Sequence, residues 1–82
     1  MKKQKINEQV TVTALGFRNN LSTYPKKIEY QGLTYSFIDA GLRCLVKSGN
    51  IISEIFTLSD GHRDYYLKKE CQGMKWTLLK IT

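Results

Sequence analysis

The sequence predicts a single small all-β domain. Short segments in which apolar and polar residues alternate are separated by turn-forming residues along the chain, a pattern typical of consecutive β-strands. Its length of 82 residues suits one domain. We expect a small SH3-like or split antiparallel barrel of about five to seven strands over residues 8–82. A disordered basic lead-in is expected over residues 1–7.

The first predicted strand contains Val10 and Val12, which alternate with threonines. β-Branched residues in this arrangement favour a strand. An irregular loop is expected over residues 18–24, where polar residues interrupt the alternation. Pro25 then opens the next strand, since a residue without an N–H group is tolerated at a strand start.

The clearest predicted hairpin turns at Gln31-Gly32. Glycine supplies the positive φ that a tight β-turn requires. Apolar residues alternate with polar ones on both sides of this turn. The apolar set comprises Ile28, Tyr30, Leu33, Tyr35 and Phe37.

Residues 37–48 fit two kinds of secondary structure. As a strand, the segment places its even-numbered apolar residues on one face. As a helix, it carries an apolar stripe, and Ser36 with Asp39 resembles a capping box. Gly41 disfavours the helix by about 1 kcal/mol. We therefore expect a strand, with an α+β domain containing one helix as the alternative.

The remaining segments also predict strands. Residues 51–58 are rich in β-forming residues, and the Asp-Gly pair at 60–61 is typical of a turn. A second turn is expected at residues 72–73. After Trp76 the apolar positions change parity, which predicts a bulge near residues 78–80.

The sequence contains no pattern that indicates catalysis. His62 is the only histidine, and it lies in a Gly-containing turn that is expected to be an exposed polar loop rather than a sheltered catalytic site. Cys44 and Cys71 lie 27 positions apart, without metal-ligand spacing. The glycines occur singly rather than in a phosphate-binding loop. We expect a protein that is not an enzyme and that uses no cofactor and no metal.

The chain is basic, with a net charge of +6 and a pI near 9.5. Lys2, Lys3 and Lys5 contribute three of these charges. Lysines interleaved with tyrosines are typical of surfaces that bind phosphates and stack bases. The candidate binding surface comprises Tyr24, Lys26, Lys27, Tyr30, Tyr66, Lys68, Lys69 and Lys75. The aromatic residues expected in the core are Tyr35, Phe37, Tyr65 and Trp76.

Two functions follow from these patterns. A chain this short has a thin core, and its edge strands are open to other strands. We therefore expect a binding or adaptor module that acts through an unknown protein partner or through self-association. The alternative is a small nucleic-acid-binding β-barrel that uses the lysine and tyrosine clusters. No secretory or membrane-spanning segment is apparent, which predicts a cytoplasmic protein with reduced thiols and no membrane partner.

A dispersed motif extends over residues 8–81. It reads Pro25-x-x-Ile28-x-Tyr30-x-Gly32-x-x-Tyr35-x-Phe37, followed by Asp60-Gly61, Tyr66-Leu67 and Trp76-x-Leu78. In this motif the chain resembles small bacterial all-β domains of unknown function. The resemblance implies a small β fold in a bacterium or mobile element, and it implies no established activity or site.

Overall fold

The computed structural model describes residues 4–17, 22–70 and 75–82, which form one antiparallel sheet of seven strands. Across the sheet the order is β3-β2-β1-β7-β6-β5-β4. The strands are β1 (Gln4–Phe17), β2 (Thr23–Tyr30), β3 (Leu33–Ser36), β4 (Leu42–Ser48), β5 (Ile51–Ser59), β6 (Asp64–Glu70) and β7 (Trp76–Ile81). The predicted all-β class is confirmed. None of the described residues is helical, so the α+β alternative is wrong.

β1 joins the two halves of the sheet. Its 14 residues pair with β7 through their first part and with β2 through their second. The strand begins at Gln4, which pairs with Ile81, and Lys5 pairs with Lys80. The structure therefore differs from the disordered lead-in predicted over residues 1–7, of which residues 1–3 lie outside the described part.

The sheet curls over its own core without closing into a barrel. The Phe37 N–H donates to the Lys26 carbonyl at 3.0 Å, and the Ile38 N–H donates to the Ser59 carbonyl at 2.9 Å. The Tyr65 ring lies 5.3 Å from the Phe37 ring and 5.5 Å from the Tyr35 ring, between centroids. These contacts hold the β3 end of the sheet against β5 and β6. In the described ranges β3 and β4 remain its edges.

The core lies on the concave face of the curled sheet. Its buried apolar residues are Val10, Ile28, Phe37, Phe56, Leu58, Tyr65, Leu67, Leu78 and Ile81. Trp76 and Tyr35 are partly buried and pack against this set. The four aromatic residues predicted for the core therefore all contact it.

Two irregularities decide which side chains reach the core. In the β1–β2 ladder the register shifts at Thr13 and shifts back at Lys26, and Pro25 and Ile28 are both buried although they lie three positions apart. In the β6–β7 ladder Leu67 pairs with Leu78 while Tyr66 pairs with Lys80, which leaves Leu79 as the extra residue. The bulge predicted near residues 78–80 is confirmed.

The predicted turns are found where the structure describes them. Tyr30 pairs with Leu33 across the turn at residues 31–32, and Ser59 pairs with Asp64 across the Asp60-Gly61 turn. A further turn, at residues 49–50, lies between Ser48 and Ile51. The loop predicted over residues 18–24 ends earlier, because β2 begins at Thr23. Residues 18–21 and the turn predicted at 72–73 lie outside the described residues.

The segment before β4 shows why no helix forms there. Gly41 has a φ of +60°, a left-handed conformation that a helix does not contain. A Cβ at this position would collide with the backbone oxygen of Thr57. The Asp39 carboxylate accepts a hydrogen bond from the Gly41 N–H at 2.9 Å, which forms a turn in place of a helix cap. The chain then enters β4 as a strand.

Candidate interaction surface

β4 contains no buried residue, although most of its side chains are apolar. All seven of its residues are exposed. It pairs with β5 from Leu42 opposite Thr57 to Ser48 opposite Ile51. As the last strand in the sheet order, it has a second edge with no strand paired to it in the described part of the chain. Open edges of this kind are templates for pairing with another chain.

Five large apolar side chains are exposed along the β4–β5 hairpin. We call residues 42–52, which carry these side chains, the apolar hairpin. Their exposures are Leu42 74%, Leu45 59%, Val46 43%, Ile51 53% and Ile52 44%. The register places Leu42, Val46 and Ile51 on one face and Leu45 and Ile52 on the other. Both faces of the hairpin are therefore apolar.

The turn at residues 49–50 determines which backbone groups of β4 face outward. Hydrogen-bonded and non-hydrogen-bonded pairs alternate along an antiparallel ladder. The pair Ser48–Ile51 closes the two-residue turn and is a hydrogen-bonded pair. Cys44 and Val46 thus bond inward to β5, whereas the N–H and C=O groups of the odd-numbered residues point to the open edge. Those residues are Arg43, Leu45 and Lys47.

The positive charge of β4 is partly neutralised by a residue of β5 next to the apolar hairpin. Arg43 and Glu54 form an ion pair between β4 and β5, with the Arg43 side chain 35% exposed and that of Glu54 16%. Edge strands are commonly protected from other strands by charged residues. Because Arg43 forms an ion pair with Glu54, Lys47 is the charged residue of β4 that can protect the open edge from pairing with other strands.

The opposite edge of the sheet is built differently. β3 has only four residues, and short edge strands limit pairing with other chains. Leu33 on this strand is 60% exposed. The two edges each present an exposed leucine, but only β4 offers a long strand with an apolar hairpin.

The β2 part of the predicted binding surface is divided by its packing. Lys26 and Lys27 are both exposed at the β1–β2 irregularity. Tyr24 is partly buried, and its ring lies against Gly16, where a Cβ would collide with it. Tyr30 is also partly buried, and its O–H donates to a Glu8 carboxylate oxygen at 3.3 Å. Loss of hydration, and then Glu8, raise the pKa of Tyr30.

The β6 part of the predicted surface lies on two faces. Tyr66 and Lys68 share the face opposite the core, where the Lys80 Nζ lies 4.4 Å from the centre of the Tyr66 ring. Lys69 points to the core side, with its Nζ 5.5 Å from the centre of the Trp76 ring. Lys75 is exposed at the start of β7. Since β1 and β7 separate β2 from β6, the eight predicted residues do not form one surface.

The loop that contains His62 is built around Asp60. One carboxylate oxygen of Asp60 accepts the backbone N–H groups of His62 and Arg63, both at 2.8 Å. The other accepts the Tyr65 O–H at 2.7 Å. Burial opposes ionisation of Asp60, but these hydrogen bonds outweigh it and lower its pKa. Burial, and then Asp60, raise the pKa of Tyr65. His62 itself is exposed, as predicted for a polar loop.

A shallow depression of about 420 Å³ lies beside this loop, with Lys5, Glu8, Tyr30 and Arg63 in its lining. Its charges are mixed, and it contains no nucleophile paired with a base. Within residues 4–17, 22–70 and 75–82, no group of three or more metal-ligating side chains comes together. The same ranges contain no helix long and apolar enough to span a membrane.

These features define a small all-β protein whose single antiparallel sheet ends in a long, apolar and open edge strand. Comparison with protein families, with curated proteins and with solved structures found no match for this chain.

The apolar hairpin was not among the binding residues predicted from the sequence. A signal for it exists, because apolar residues occupy both odd and even positions between Leu42 and Ile52. Such a strand has two apolar faces, which is expected where both are covered. In this structure neither face of β4 is covered.

Proposed function

We propose that this protein is a non-enzymatic binding module that acts through the apolar hairpin. A protein segment in extended conformation adds to the open edge of β4 and covers the apolar side chains next to it. The observation that carries this proposal is that all seven residues of β4 are exposed, although the strand is rich in leucine and valine. The SH3-like or split-barrel arrangement expected from the sequence is part of the same proposal, as a scaffold that presents an edge.

The magnitude of the exposed apolar surface supports a macromolecular partner. Burying one such side chain completely contributes about 1.5–3 kcal/mol. Each of the five side chains is about half exposed, so covering their exposed parts contributes roughly 5 kcal/mol in total. Association costs about 4–15 kcal/mol. A stable complex therefore also needs the apolar surface of the partner and hydrogen bonds at the edge. A strand-forming partner supplies both.

One exposed leucine from each edge strand provides a matched test. Leu42→Lys places a charge on β4, and Leu33→Lys places the same charge on β3 at a comparable exposure. We expect wild type and Leu33→Lys to show the same self-association by light scattering, or to capture the same protein from a lysate, and Leu42→Lys to lose it. Equal loss in both variants, or no association and no capture by wild type, would contradict the proposal.

We keep nucleic-acid binding as a second candidate because lysines from three strands lie on one face of the sheet, which also carries Asp64 and Glu70 at the ends of β6. The pairs Lys5–Lys80 and Lys80–Tyr66 place these residues on the face that also carries Lys68. Lysines in such a strip contact phosphates, and binding then weakens as salt increases. Lys68→Gln is expected to reduce the slope of log affinity against log salt by about 1, and Lys26→Gln on β2 to leave it unchanged. Absence of binding to single- and double-stranded oligonucleotides at low salt would eliminate this candidate.

A further inference from the structure

We infer that the partner strand is β4 of a second copy of this chain, paired antiparallel about a two-fold axis that places Cys44 opposite Cys44 of the second copy. This inference rests on the proposed function, since it names the occupant of the same edge. It follows from the order of side chains along β4, from the direction of its backbone groups and from the charges at its two ends.

Symmetry limits the possible registers. A two-fold axis perpendicular to the sheet keeps each side chain on its own face, and residues opposite each other in an antiparallel pair share a face. The axis must therefore pass through a residue that lies opposite its own copy. Within the body of β4 the choices are Arg43, Cys44, Leu45, Val46 and Lys47.

Charge disfavours three of these five registers, although Glu54 offsets part of the charge of Arg43. Like charges directly opposite each other destabilise a sheet. An axis at Arg43 or at Lys47 places that residue opposite itself. An axis at Leu45 places Arg43 opposite Lys47 of the second copy, and does so twice by symmetry. The remaining registers are centred on Cys44 and on Val46.

Apolar pairing distinguishes the remaining two. With the axis at Cys44, Leu42 lies opposite Val46 of the second copy, so the two large aliphatic side chains of β4 on that face cover each other. With the axis at Val46, Leu45 lies opposite Lys47 and Leu42 extends beyond the paired segment. The Cys44 register therefore pairs more of the exposed apolar surface.

The charges at the ends of β4 are complementary in this arrangement. Antiparallel pairing brings the Lys47 end of one strand beside the start of β4 in the second copy. Lys47 lies opposite Gly41 of the second copy, and the exposed Asp39, whose carboxylate accepts the Gly41 N–H, is two residues further along. Because the pairing is symmetric, Lys47 of each copy lies near Asp39 of the other copy at both ends of the paired strands. Lys47 would protect this edge from other strands, but a second copy accommodates its charge.

The backbone groups of β4 match the same register. Arg43 and Leu45 direct their N–H and C=O groups to the open edge, so Arg43 forms a hydrogen-bonded pair with Leu45 of the second copy. Cys44 then forms a non-hydrogen-bonded pair with its own copy, with Cα atoms about 4.5 Å apart. That separation lies within the range a disulfide spans, about 4.4–6.8 Å. Cys44 is a free, exposed thiol, so its oxidation reports the register directly.

Single-cysteine variants test the inference. Cys71 lies outside the described residues and is replaced in all proteins by Cys71→Ser. Oxidation with copper phenanthroline removes two electrons and two protons from a pair of opposed thiols and joins them. We expect the protein that keeps Cys44 to form a covalent dimer at least ten times faster than the matched variant with Cys44→Ser and Leu45→Cys. An equimolar mixture of Leu42→Cys and Val46→Cys, each with Cys44→Ser, is expected to form the mixed dimer.

Light scattering on the reduced Cys71→Ser protein accompanies the cross-linking. A concentration-dependent dimer with preferential Cys44 cross-linking supports the inference. Preferential cross-linking at Leu45→Cys overturns the register. If light scattering shows a strict monomer, the inference that a second copy occupies the open edge of β4 is overturned. If the protein is a strict monomer, the proposed function is still supported when wild type and Leu33→Lys capture the same other protein and Leu42→Lys does not. The proposed function is contradicted if no protein is captured.

Discussion

At the residue scale, two glycines with nearly the same backbone conformation differ in their surroundings. Gly41 has a φ of +60° and Gly49 a φ of +61°. A Cβ at Gly41 would collide with the Thr57 carbonyl oxygen, whereas open space surrounds Gly49. The left-handed conformation explains why glycine suits both positions. Only Gly41 is also required by close packing, at the point where the chain enters β4.

The pair therefore allows a controlled substitution. Gly41→Ala and Gly49→Ala both introduce the cost of a left-handed alanine, about 1–2 kcal/mol. Gly41→Ala adds the collision with Thr57, and we expect its free energy of unfolding to fall by at least about 1 kcal/mol more than that of Gly49→Ala. Urea denaturation measures both. Equal losses would show that the contact at Gly41 relaxes without cost.

Asp60 predicts a pH dependence of stability. Burial opposes the charged form, but the hydrogen bonds from Arg63, Tyr65 and His62 together lower the pKa of Asp60 below its ordinary value of 3.8. A carboxyl with a lowered pKa in the folded state contributes stability above the ordinary pKa, and this is lost as pH falls through the folded pKa. We expect Asp60→Asn to cost about 1 kcal/mol at pH 7. The difference from wild type should disappear as pH falls from 5 toward 2.

Asp64→Asn, a second carboxyl in an exposed position beside the same loop, is the control for this prediction. It should keep the acid dependence of wild type. Thermal unfolding followed by circular dichroism across this pH range measures all three proteins. A difference between Asp60→Asn and wild type that stays constant with pH would contradict the assigned role of the Asp60 charge.

At the scale of elements, β4 pairs with one strand among the described residues, and its other edge has no strand paired to it there. The sequence predicted a strand in this segment, because alternation identifies a pleated ribbon. It did not predict that the strand is an edge with two exposed apolar faces. The residues of β4 can be read directly from the sequence. The position of β4 in the strand order depends on how β5, β6 and β7 pair.

Amide exchange should distinguish the two edges of β4. The N–H groups of Cys44 and Val46 bond to β5 and are expected to be protected at any protein concentration. The Leu45 N–H points to the open edge and should exchange rapidly in dilute protein and slowly once β4 pairs with a second copy. Hydrogen exchange measured by NMR at two concentrations tests this. Exchange at Leu45 that is independent of concentration in an associating sample would place the interface elsewhere.

At the scale of the whole molecule, stability depends on a small core that spans both halves of the sheet. Leu67 is fully buried, opposite Phe56 on one side and Leu78 on the other. Replacement of a buried leucine by alanine costs about 2–5 kcal/mol. A domain of 82 residues has a total stability of roughly 4–12 kcal/mol. One such change therefore removes a large part of the total.

We expect Leu67→Ala to lower the free energy of unfolding by about 3 kcal/mol and the melting temperature by more than 10 °C. Leu33→Ala, at a leucine that is 60% exposed, should change it by less than about 0.5 kcal/mol. Denaturant and thermal unfolding measure both variants. A loss at Leu67 as small as that at Leu33 would contradict the assigned core.

The predicted features that the structure contains are mostly local ones. The turns at residues 31–32 and 60–61 and the bulge near residues 78–80 depend on neighbouring residues and on face parity. The start of β1 at Gln4 was missed because it is determined by pairing with Ile81, at the other end of the chain. The predicted lysines and tyrosines were grouped by closeness in sequence, and the strand order then separated β2 from β6.

Alternation and turn residues act over a few positions, so the order of residues is enough to predict strands joined by tight turns. Which strand lies at the edge, and which apolar side chains stay exposed, depends on how distant strands pair. Alternation assigns a side chain to one face of a strand, while its exposure depends on what long-range pairing places over that face. Among the described residues, that pairing leaves Leu42, Leu45 and Val46 exposed and one edge of β4 without a paired strand.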